Sequence, residues 1–210
     1  MCETNRRIEG IHAKHILRVA RESDAAALRD VYAPYVERTA VSFEYEAPDV
    51  ATFLERIRRV QEKYPYLVAE SDGELLGYAY ADSFHSREAY SWSAEASIYL
   101  RMDCRRMGVG SALYRALEAA LKAMGVRNLY ACIAVPDAPD EYLTLDSMRF
   151  HAAMGYRTVG EFHHCGWKFG RWYSMVWMEK LLDPDPSAPS PLKSFRELNA
   201  NTIPGIKSGR

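Results

Sequence analysis

One short segment constrains the fold of this chain more than any other. Arg105-Arg106-Met107-Gly108-Val109-Gly110 lies between an apolar run at 96–100 and a stretch of apolar residues at helical spacing. Glycines at these positions allow a tight turn from a strand into a helix, with backbone N–H groups left free where the helix begins. Because a helix N-terminus attracts negative charge, the segment predicts a phosphate site, as for the pyrophosphate of a cofactor.

The spacing of the two glycines excludes two common nucleotide motifs. A P-loop requires a lysine directly after its last glycine, and Ser111 follows Gly110 here. A dinucleotide fingerprint requires a third glycine three residues later, where Leu113 stands. The remaining pattern is Arg-x-x-Gly-x-Gly, and a plain strand-to-helix turn is the alternative that this short motif leaves open.

The composition narrows the class of protein. The chain has 210 residues and a formal net charge of −1, which predicts one domain with tails and gives no electrostatic reason for binding nucleic acid or an anionic membrane. No apolar run approaches the roughly 20 residues of a membrane span, and the polar N-terminus lacks the apolar core of a secretory signal. We therefore predict a cytoplasmic protein with reduced thiols and no metal site, since the cysteines are scattered at Cys2, Cys104, Cys132 and Cys165.

Hydrophobic periodicity predicts a single α+β domain over residues 16–181. The order of elements is a strand, two helices, three strands, a helix, a strand, a helix and two strands, which predicts a single mixed, mostly antiparallel β-sheet flanked by helices on both faces. Residues 1–15 are predicted as a flexible lead-in and residues 182–210 as a tail containing proline and serine. The predicted strands lie at 16–19, 66–70, 75–81, 90–100, 129–135, 156–162 and 172–178, and the predicted helices at 28–36, 49–63, 109–121 and 146–155.

Two ionisable residues near the glycine segment are candidates for acid–base chemistry. Glu95 interrupts the apolar strand at 92–100, so its carboxylate must be exposed at an edge, paired or functional. Burial would raise the pKa of Glu95 toward the range of a general base. His151 lies on the last short predicted helix. The alternatives are a salt-bridged strand carboxylate for Glu95 and a solvated or hydrogen-bonded bystander for His151.

Several runs of this chain resemble one enzyme family. Tyr90-Ser91-Trp92-Ser93-Ala94-Glu95, Ile98-Tyr99-Leu100 and the glycine segment are similar to the phosphinothricin acetyltransferase branch of the GNAT superfamily of N-acetyltransferases. Gly77-Tyr78-Ala79-Tyr80-Ala81 matches the hairpin that precedes these runs in that branch, and Gly166-Trp167-Lys168-Phe169-Gly170 matches its C-terminal part. The resemblance covers residues 17–181 and implies the acyl-CoA N-acyltransferase fold.

The resemblance implies an enzyme that transfers an acetyl group from acetyl-CoA directly to the amine of a small amino-acid-like substrate. Phosphinothricin, methionine sulfoximine and methionine sulfone are typical family substrates. By the same resemblance, Glu95 is the general base, His151 protonates or hydrogen-bonds the departing thiolate, and the protein is a homodimer. The residues implied to bind the cofactor are Ile98, Tyr99, Leu100, Arg106, Met107, Gly108, Val109, Gly110, Ser111 and Asp137; those implied to bind the substrate are Phe43, Arg87 and Tyr90, with core packing as the alternative for Phe43.

The chain departs from the family pattern at three places. Where the branch has Pro-Asn followed shortly by serine, this chain has Pro136-Asp137, and Ser147 comes only after an inserted stretch at 138–145. A carboxylate at Asp137 cannot donate the hydrogen bond of the family asparagine and would repel phosphate. His85 and Ser86 replace residues typical of the herbicide-acetylating enzymes. Two alternatives therefore stay open: acetylation of another amine (a polyamine, another amino acid or a protein N-terminus), or a non-catalytic CoA-binding module.

Overall fold

The order of strands and helices in the structure is the order that the sequence predicts. The computed structural model describes residues 15–185, 187–200 and 203–207, so the predicted lead-in lies outside the described residues except for His15. In chain order the elements are β1 (Ile16–Val19), α1 (Ala25–Arg38), α2 (Val50–Gln61), β2 (Tyr66–Ser71), β3 (Glu74–Ser83), β4 (Ser93–Leu100), α3 (Val109–Met124), β5 (Asn128–Val135), α4 (Asp146–Ala153), β6 (Arg157–Lys168) and β7 (Arg171–Leu181).

The seven strands form one mixed sheet in the order β1-β2-β3-β4-β5-β7-β6, which confirms the predicted fold class. The pair β4–β5 is parallel, and the other neighbouring pairs are antiparallel. A parallel pair needs a crossover connection, and α3 provides it directly after the glycine segment. The predicted turn Asp72-Gly73 joins β2 to β3, with both residues at positive φ.

Helix α3 is anchored by an apolar stripe that the sequence shows plainly. It lies between Gly108 and Gly125, both of which adopt the left-handed conformation that glycine tolerates best. Leu113, Leu117 and Leu121 recur at a spacing of four residues and are fully buried against the sheet. Each such burial contributes about 1.5–3 kcal/mol, so this stripe fixes the position of the helix whose N-terminus follows the glycine segment.

Alternation along β4 places the helices on opposite faces of the sheet. The ring of Tyr99 packs edge-on against Tyr32 and Tyr35 of α1. The next residue, Leu100, faces Gly110 of α3, where a Cβ atom would lie 3.3 Å from Leu100 Cδ1. Successive strand side chains point to opposite faces, so we distinguish an α1 face, which also carries α2, from an α3 face, which also carries α4.

The strand predicted at 90–100 begins later than the sequence suggests. Glu88–Tyr90 forms a single 3₁₀ turn, and the carbonyl of Trp92 accepts the N–H groups of Arg127 and Asn128 where the β4–β5 ladder begins. The aromatic residues at 90 and 92 favour a strand by composition, but Tyr90 belongs to the turn, and β4 begins only at Ser93. The closing hairpin is longer than predicted. Its turn consists only of Phe169 and Gly170, both at positive φ, so that β6 continues to Lys168 and β7 begins at Arg171.

Part of the segment predicted as a C-terminal tail lies against the domain. Phe195, Ile203 and Ile206 are buried in the main core. Ile206 forms a parallel bridge with Leu17 of β1, and the N–H of Lys207 donates to the Leu17 carbonyl at 2.8 Å. This contact covers part of an edge strand that would otherwise expose unpaired backbone groups. Within the described residues, no helix has the length and apolar character needed to cross a membrane.

Candidate functional site

Strands β4 and β5 separate after a short parallel ladder. They pair in register over 93–95 and 128–130, and the ladder does not continue into 96–100 and 131–135. The gap is a cleft that opens partly to solvent. The lining comes from both faces of the sheet, so the cleft passes through it. The lining residues are Val41, Ala96, Ser97, Ile98, Tyr99, Tyr114, Ala131, Cys132, Ile133, Ala134, Ser147 and His151.

The backbone of β4 turns polar groups toward this cleft. The N–H of Arg101 donates to the Leu76 carbonyl at 2.9 Å, which sets the hydrogen-bonding phase of the antiparallel β3–β4 ladder. Because backbone groups alternate in direction along such a ladder, Ile98 and Leu100 direct their N–H and C=O groups away from β3 and toward the cleft side. The Leu100 carbonyl accepts the Tyr35 hydroxyl at 2.6 Å. The N–H groups of Ile98 and Leu100 are thus donors without a strand partner on that side.

The glycine segment forms the predicted turn between β4 and α3. Arg106 and Gly108 adopt positive φ, and α3 begins at Val109 with no side chain capping its N-terminus. The first-turn N–H groups therefore remain available to an anion. Gly110 sits so close to Leu100 and Phe150 that a Cβ atom there would lie 3.3 Å from each side chain. Of the predicted cofactor residues, Gly110 thus lies against Leu100, and Ile98 and Tyr99 line the cleft.

Glu95 lies at the point where the two strands diverge. It is the last residue of β4 in the parallel ladder, opposite Tyr130, and Asp82 faces it on β3. Its side chain lies on the same face as Ser97, which lines the cleft two residues (about 7 Å) further along the strand. Within the described residues its carboxylate has no ion pair or hydrogen bond, so the salt-bridged alternative is wrong. Burial, and then the neighbouring charge of Asp82, raise the pKa of Glu95.

His151 approaches the cleft from the α3 face and is almost fully buried, at 3% exposure. Its Nδ1 lies 2.8 Å from the Ser147 carbonyl oxygen, and its Nε2 lies 2.7 Å from the Tyr114 hydroxyl. A carbonyl only accepts, so Nδ1 carries the proton and Nε2 accepts from Tyr114. Burial lowers the pKa of His151 to about 4, which keeps the imidazole neutral near pH 7. The solvated alternative is wrong, and both ring nitrogens are engaged.

The predicted substrate residues lie outside the lining of the cleft. Tyr90 packs against the rings of Phe84 and His85 in the loop after β3. Arg87 lies exposed in the same loop, and its guanidinium forms no ion pair with the described residues. Phe43 packs so tightly over Gly166 that a Cβ atom there would lie 2.3 Å from its ring.

Asp137 contacts a histidine of β6 in this structure. Its Oδ2 lies 2.9 Å from Nε2 of His164, a residue at positive φ in the bulged part of β6. The cofactor contact of Asp137 stays a prediction, and in this structure its carboxylate contacts an imidazole. No three His, Cys, Asp or Glu side chains of the described residues converge as metal ligands.

Tyr114 and Cys132 line the cleft although the sequence did not single them out. Tyr114 belongs to the apolar face of α3, and Cys132 lies within a strand of apolar residues. Both positions are typical of core residues, so no local signal separates them from their neighbours. They line the same cleft because β4 and β5 separate beside them.

The parallel pair of β4 and β5 opens into a cleft, and the uncapped N-terminus of α3 leaves backbone N–H groups available to an anionic ligand. The model of the acetyltransferase (GNAT) domain matches residues 17–177. The chain belongs to this GNAT acetyltransferase family, which confirms the predicted enzyme class of N-acetyltransferase.

Relatives within the family include two phosphinothricin N-acetyltransferases. The protein from Streptomyces viridochromogenes is 31% identical over 87% of this chain and 95% of its own length. The protein from Alcaligenes faecalis is 38% identical over 80% of this chain and 82% of its own length. Among solved structures, a phosphinothricin acetyltransferase from Sinorhizobium meliloti in complex with acetyl-CoA superposes with a TM-score of 0.76 at 30% identity, covering 84% of this chain and 93% of that one.

Proposed function

We propose that this protein transfers an acetyl group from acetyl-CoA to the amine of a small amino-acid-like substrate, of the phosphinothricin or methionine sulfoximine type. The observation that carries the proposal is the unpaired carboxylate of Glu95, with its raised pKa, where the cleft opens between β4 and β5. A carboxylate with a raised pKa and no partner is suited to accept a proton from an ammonium group, directly or through water. The names of the relatives support this class of substrate.

Acetyl-CoA fits the residues of the cleft and of the glycine segment. The uncapped first turn of α3, together with Arg106, would hold the pyrophosphate, and the N–H groups of Ile98 and Leu100 would lie along the pantetheine arm and the thioester carbonyl. Bound acetyl-CoA supplies a thioester as the acetyl donor. Gly110 leaves no Cβ atom between α3 and β4, so that the helix start lies close to the strand.

The two faces of the sheet would face different reactants, the amine on one side and the leaving thiolate on the other. Glu95 lies on the α1 side, where it would meet the ammonium group, and the exposed guanidinium of Arg87, in the loop after β3, would bind a carboxylate of the substrate. His151 and Tyr114 lie on the α3 side. His151 is neutral, its Nδ1 proton is bound to the Ser147 carbonyl, and the single hydroxyl proton of Tyr114 is donated to its Nε2. A thiolate in the cleft would therefore receive a hydrogen bond from Tyr114 only if the hydroxyl turned away from His151. Burial raises the pKa of Tyr114 well above 10, so this hydroxyl stays protonated.

The substitution Glu95→Gln tests the proposal. With phosphinothricin, methionine sulfoximine or methionine sulfone as acceptor, we expect turnover to fall by about 10²–10⁴-fold, which is the usual contribution of a general base. Acetyl-CoA affinity, measured by calorimetry, should stay within about twofold, because the phosphate-binding groups are untouched. Glu161→Gln removes an exposed strand carboxylate and serves as the matched control.

Each outcome of this experiment is informative. Full activity in Glu95→Gln would remove Glu95 from its assigned role. Turnover of a polyamine, another amino acid or a protein N-terminus in place of the named substrates would overturn the proposed substrate class. Acetyl-CoA binding without turnover of any amine would favour a non-catalytic module. No binding of acetyl-CoA at all would contradict both the proposed enzyme and the non-catalytic CoA-binding module.

A homodimer and a cytoplasmic location are further parts of the proposal. Strand β6 is an edge strand of 12 residues whose side chains are mostly exposed, including the large apolar residues Val159 and Phe162. Long exposed apolar edges commonly serve as pairing surfaces, which supports a dimer through this edge. Light scattering of Phe162→Glu at a concentration where the wild type is dimeric tests it; unchanged mass would exclude this edge as the interface. The cytoplasmic location stays a prediction from the sequence.

A further inference from the structure

Lys168 is a buried ammonium group that the proposed chemistry does not use. It is the last residue of β6 and is 2% exposed. Its Nζ donates to three carbonyl oxygens, those of Val36 at 2.7 Å, Thr39 at 2.9 Å and Ser42 at 2.6 Å. An ammonium group has three donors, so this set of acceptors satisfies all of them without a carboxylate. Burial lowers the pKa of Lys168, and the nearby Glu44 opposes that effect.

All three carbonyls belong to one short stretch of chain. Val36 and Thr39 stand at the C-terminal end of α1, where carbonyl groups lack intrahelical partners and the helix dipole is negative. Ser42 lies further along, in residues 39–43, which we call the α1 loop. A single ammonium group therefore holds both ends of this loop. Val41, between the two anchors, lines the cleft.

The stretch inserted at 138–145 holds the α1 loop from its other side. The N–H of Ala40 donates to the Tyr142 carbonyl at 3.0 Å. Leu143 is buried with Ala40 and Tyr173 in a small core of its own, against which Val41 and Ala134 pack. Because Val41 and Ala134 also line the cleft, this small core forms part of the wall of the site.

Asp140 gives the inserted stretch its conformation. Its Oδ1 accepts the N–H groups of Tyr142 and Leu143, each at 2.8 Å. Its Oδ2 accepts the Tyr173 hydroxyl at 2.9 Å and the Arg171 guanidinium at 3.0 Å. One carboxylate thus ties the insertion to itself and to β7. Leu143, whose N–H is one of these donors, is buried in the small core.

We propose that Lys168 and Asp140 are positioning residues for the amine: they fix the α1 loop so that Val41 borders the cleft, and thereby determine which acceptors fit. The proposal rests on the proposed function and adds a specificity role for the inserted stretch. Neither residue touches the glycine segment in this structure, and the groups that would hold acetyl-CoA are anchored independently by α3 and β3. Their loss should therefore change the recognition of the amine more than that of acetyl-CoA.

Steady-state kinetics of Lys168→Met with phosphinothricin, methionine sulfoximine and methionine sulfone tests this role. We expect the KM for the amine to rise by about tenfold while the KM for acetyl-CoA stays within about twofold. The substitution removes the anchor of the α1 loop, which carries Val41, and leaves the groups proposed to bind acetyl-CoA in place. Lys180→Met is the matched control: Lys180 is a partly buried lysine that bonds Glu118 and the Met154 carbonyl, both remote from the α1 loop. Its two KM values should stay near those of the wild type.

A second pair of variants keeps the test independent of the folding of Lys168→Met. Asp140→Asn preserves the side-chain size but replaces one carboxylate oxygen by an NH₂ group, which cannot accept from the Arg171 guanidinium or the Tyr173 hydroxyl. It should therefore also raise the KM for the amine. Glu141→Gln, which alters only an exposed contact of Arg171 in the same stretch, is its control. Folded Asp140→Asn with an unchanged amine KM, or with equal rises in both KM values, would overturn the proposal. A wild type that turns over none of these amines would instead overturn the proposed function on which it rests.

Discussion

Mild acid should destabilise this protein through His151. The imidazole is buried, and its two nitrogens are committed to the Ser147 carbonyl and the Tyr114 hydroxyl. Protonation would place a second proton on Nε2, which now accepts a hydrogen bond, and would leave a charge in the core. The folded state therefore resists a proton that the unfolded chain binds readily.

The size of this effect follows from the pKa of His151. Burial lowers it from the ordinary 6.5 to about 4. Because the folded pKa lies below the unfolded one, the stabilising contribution is complete above about pH 6.5 and is lost as the pH falls toward 4. At about 1.36 kcal/mol for each pKa unit, the full loss is about 3 kcal/mol, of which about 2 kcal/mol has gone by pH 5.

Urea unfolding at pH 7 and pH 5 measures this contribution, with His151→Gln as the reference. The free energy of unfolding of the wild type should fall between these pH values by about 2 kcal/mol more than that of the variant. Carboxylates such as Glu95 titrate in both proteins, so their contribution cancels in the comparison. Equal losses in the two proteins would show that His151 is not held neutral by the core, and the reasoning from its buried contacts would be refuted.

Three further predictions concern the cleft and the C-terminal segment. The raised pKa of Glu95 predicts that kcat/KM for the amine falls as the pH drops through that pKa, and that Asp82→Asn moves this fall to lower pH; a profile unaffected by Asp82→Asn would contradict the charge coupling. Gly110→Val should weaken acetyl-CoA binding by at least about tenfold in calorimetry, because its side chain would push α3 away from Leu100, and unchanged affinity would exclude that close approach. Phe195→Ala should lower the free energy of unfolding by about 3 kcal/mol in urea, whereas a change below about 0.5 kcal/mol would show that the C-terminal segment does not contribute to the core.

Much of the fold could be predicted from the sequence because its signals are local. The apolar stripe of α3 and the glycines that bound it lie within one stretch of chain, and so does the Asp72-Gly73 hairpin turn. Glu95 stood out for the same reason, as a single carboxylate in an apolar strand. The structure then showed that this carboxylate has no ion-pair or hydrogen-bond partner among the residues it describes, which the strand pattern alone could not show.

The remaining features depend on residues far apart in the sequence. His151 meets Tyr114 across 37 residues, and Lys168 meets the α1 loop across more than 120. Asp137 aligns with a cofactor-binding asparagine of the family, yet its partner is His164. Such pairings depend on the order and register of the strands in the sheet, which a local sequence pattern does not predict.

The sequence by itself determined the order of the elements, the turn at the glycine segment and the presence of a carboxylate in β4, because periodicity and backbone conformation act over a few residues. Tertiary structure decided where β4 and β5 diverge, which groups face the resulting cleft and what charge they carry there. Those properties depend on burial and on neighbours contributed by distant segments. A histidine becomes neutral, and a glutamate becomes a candidate base, only once the sheet and its helices have excluded water around them.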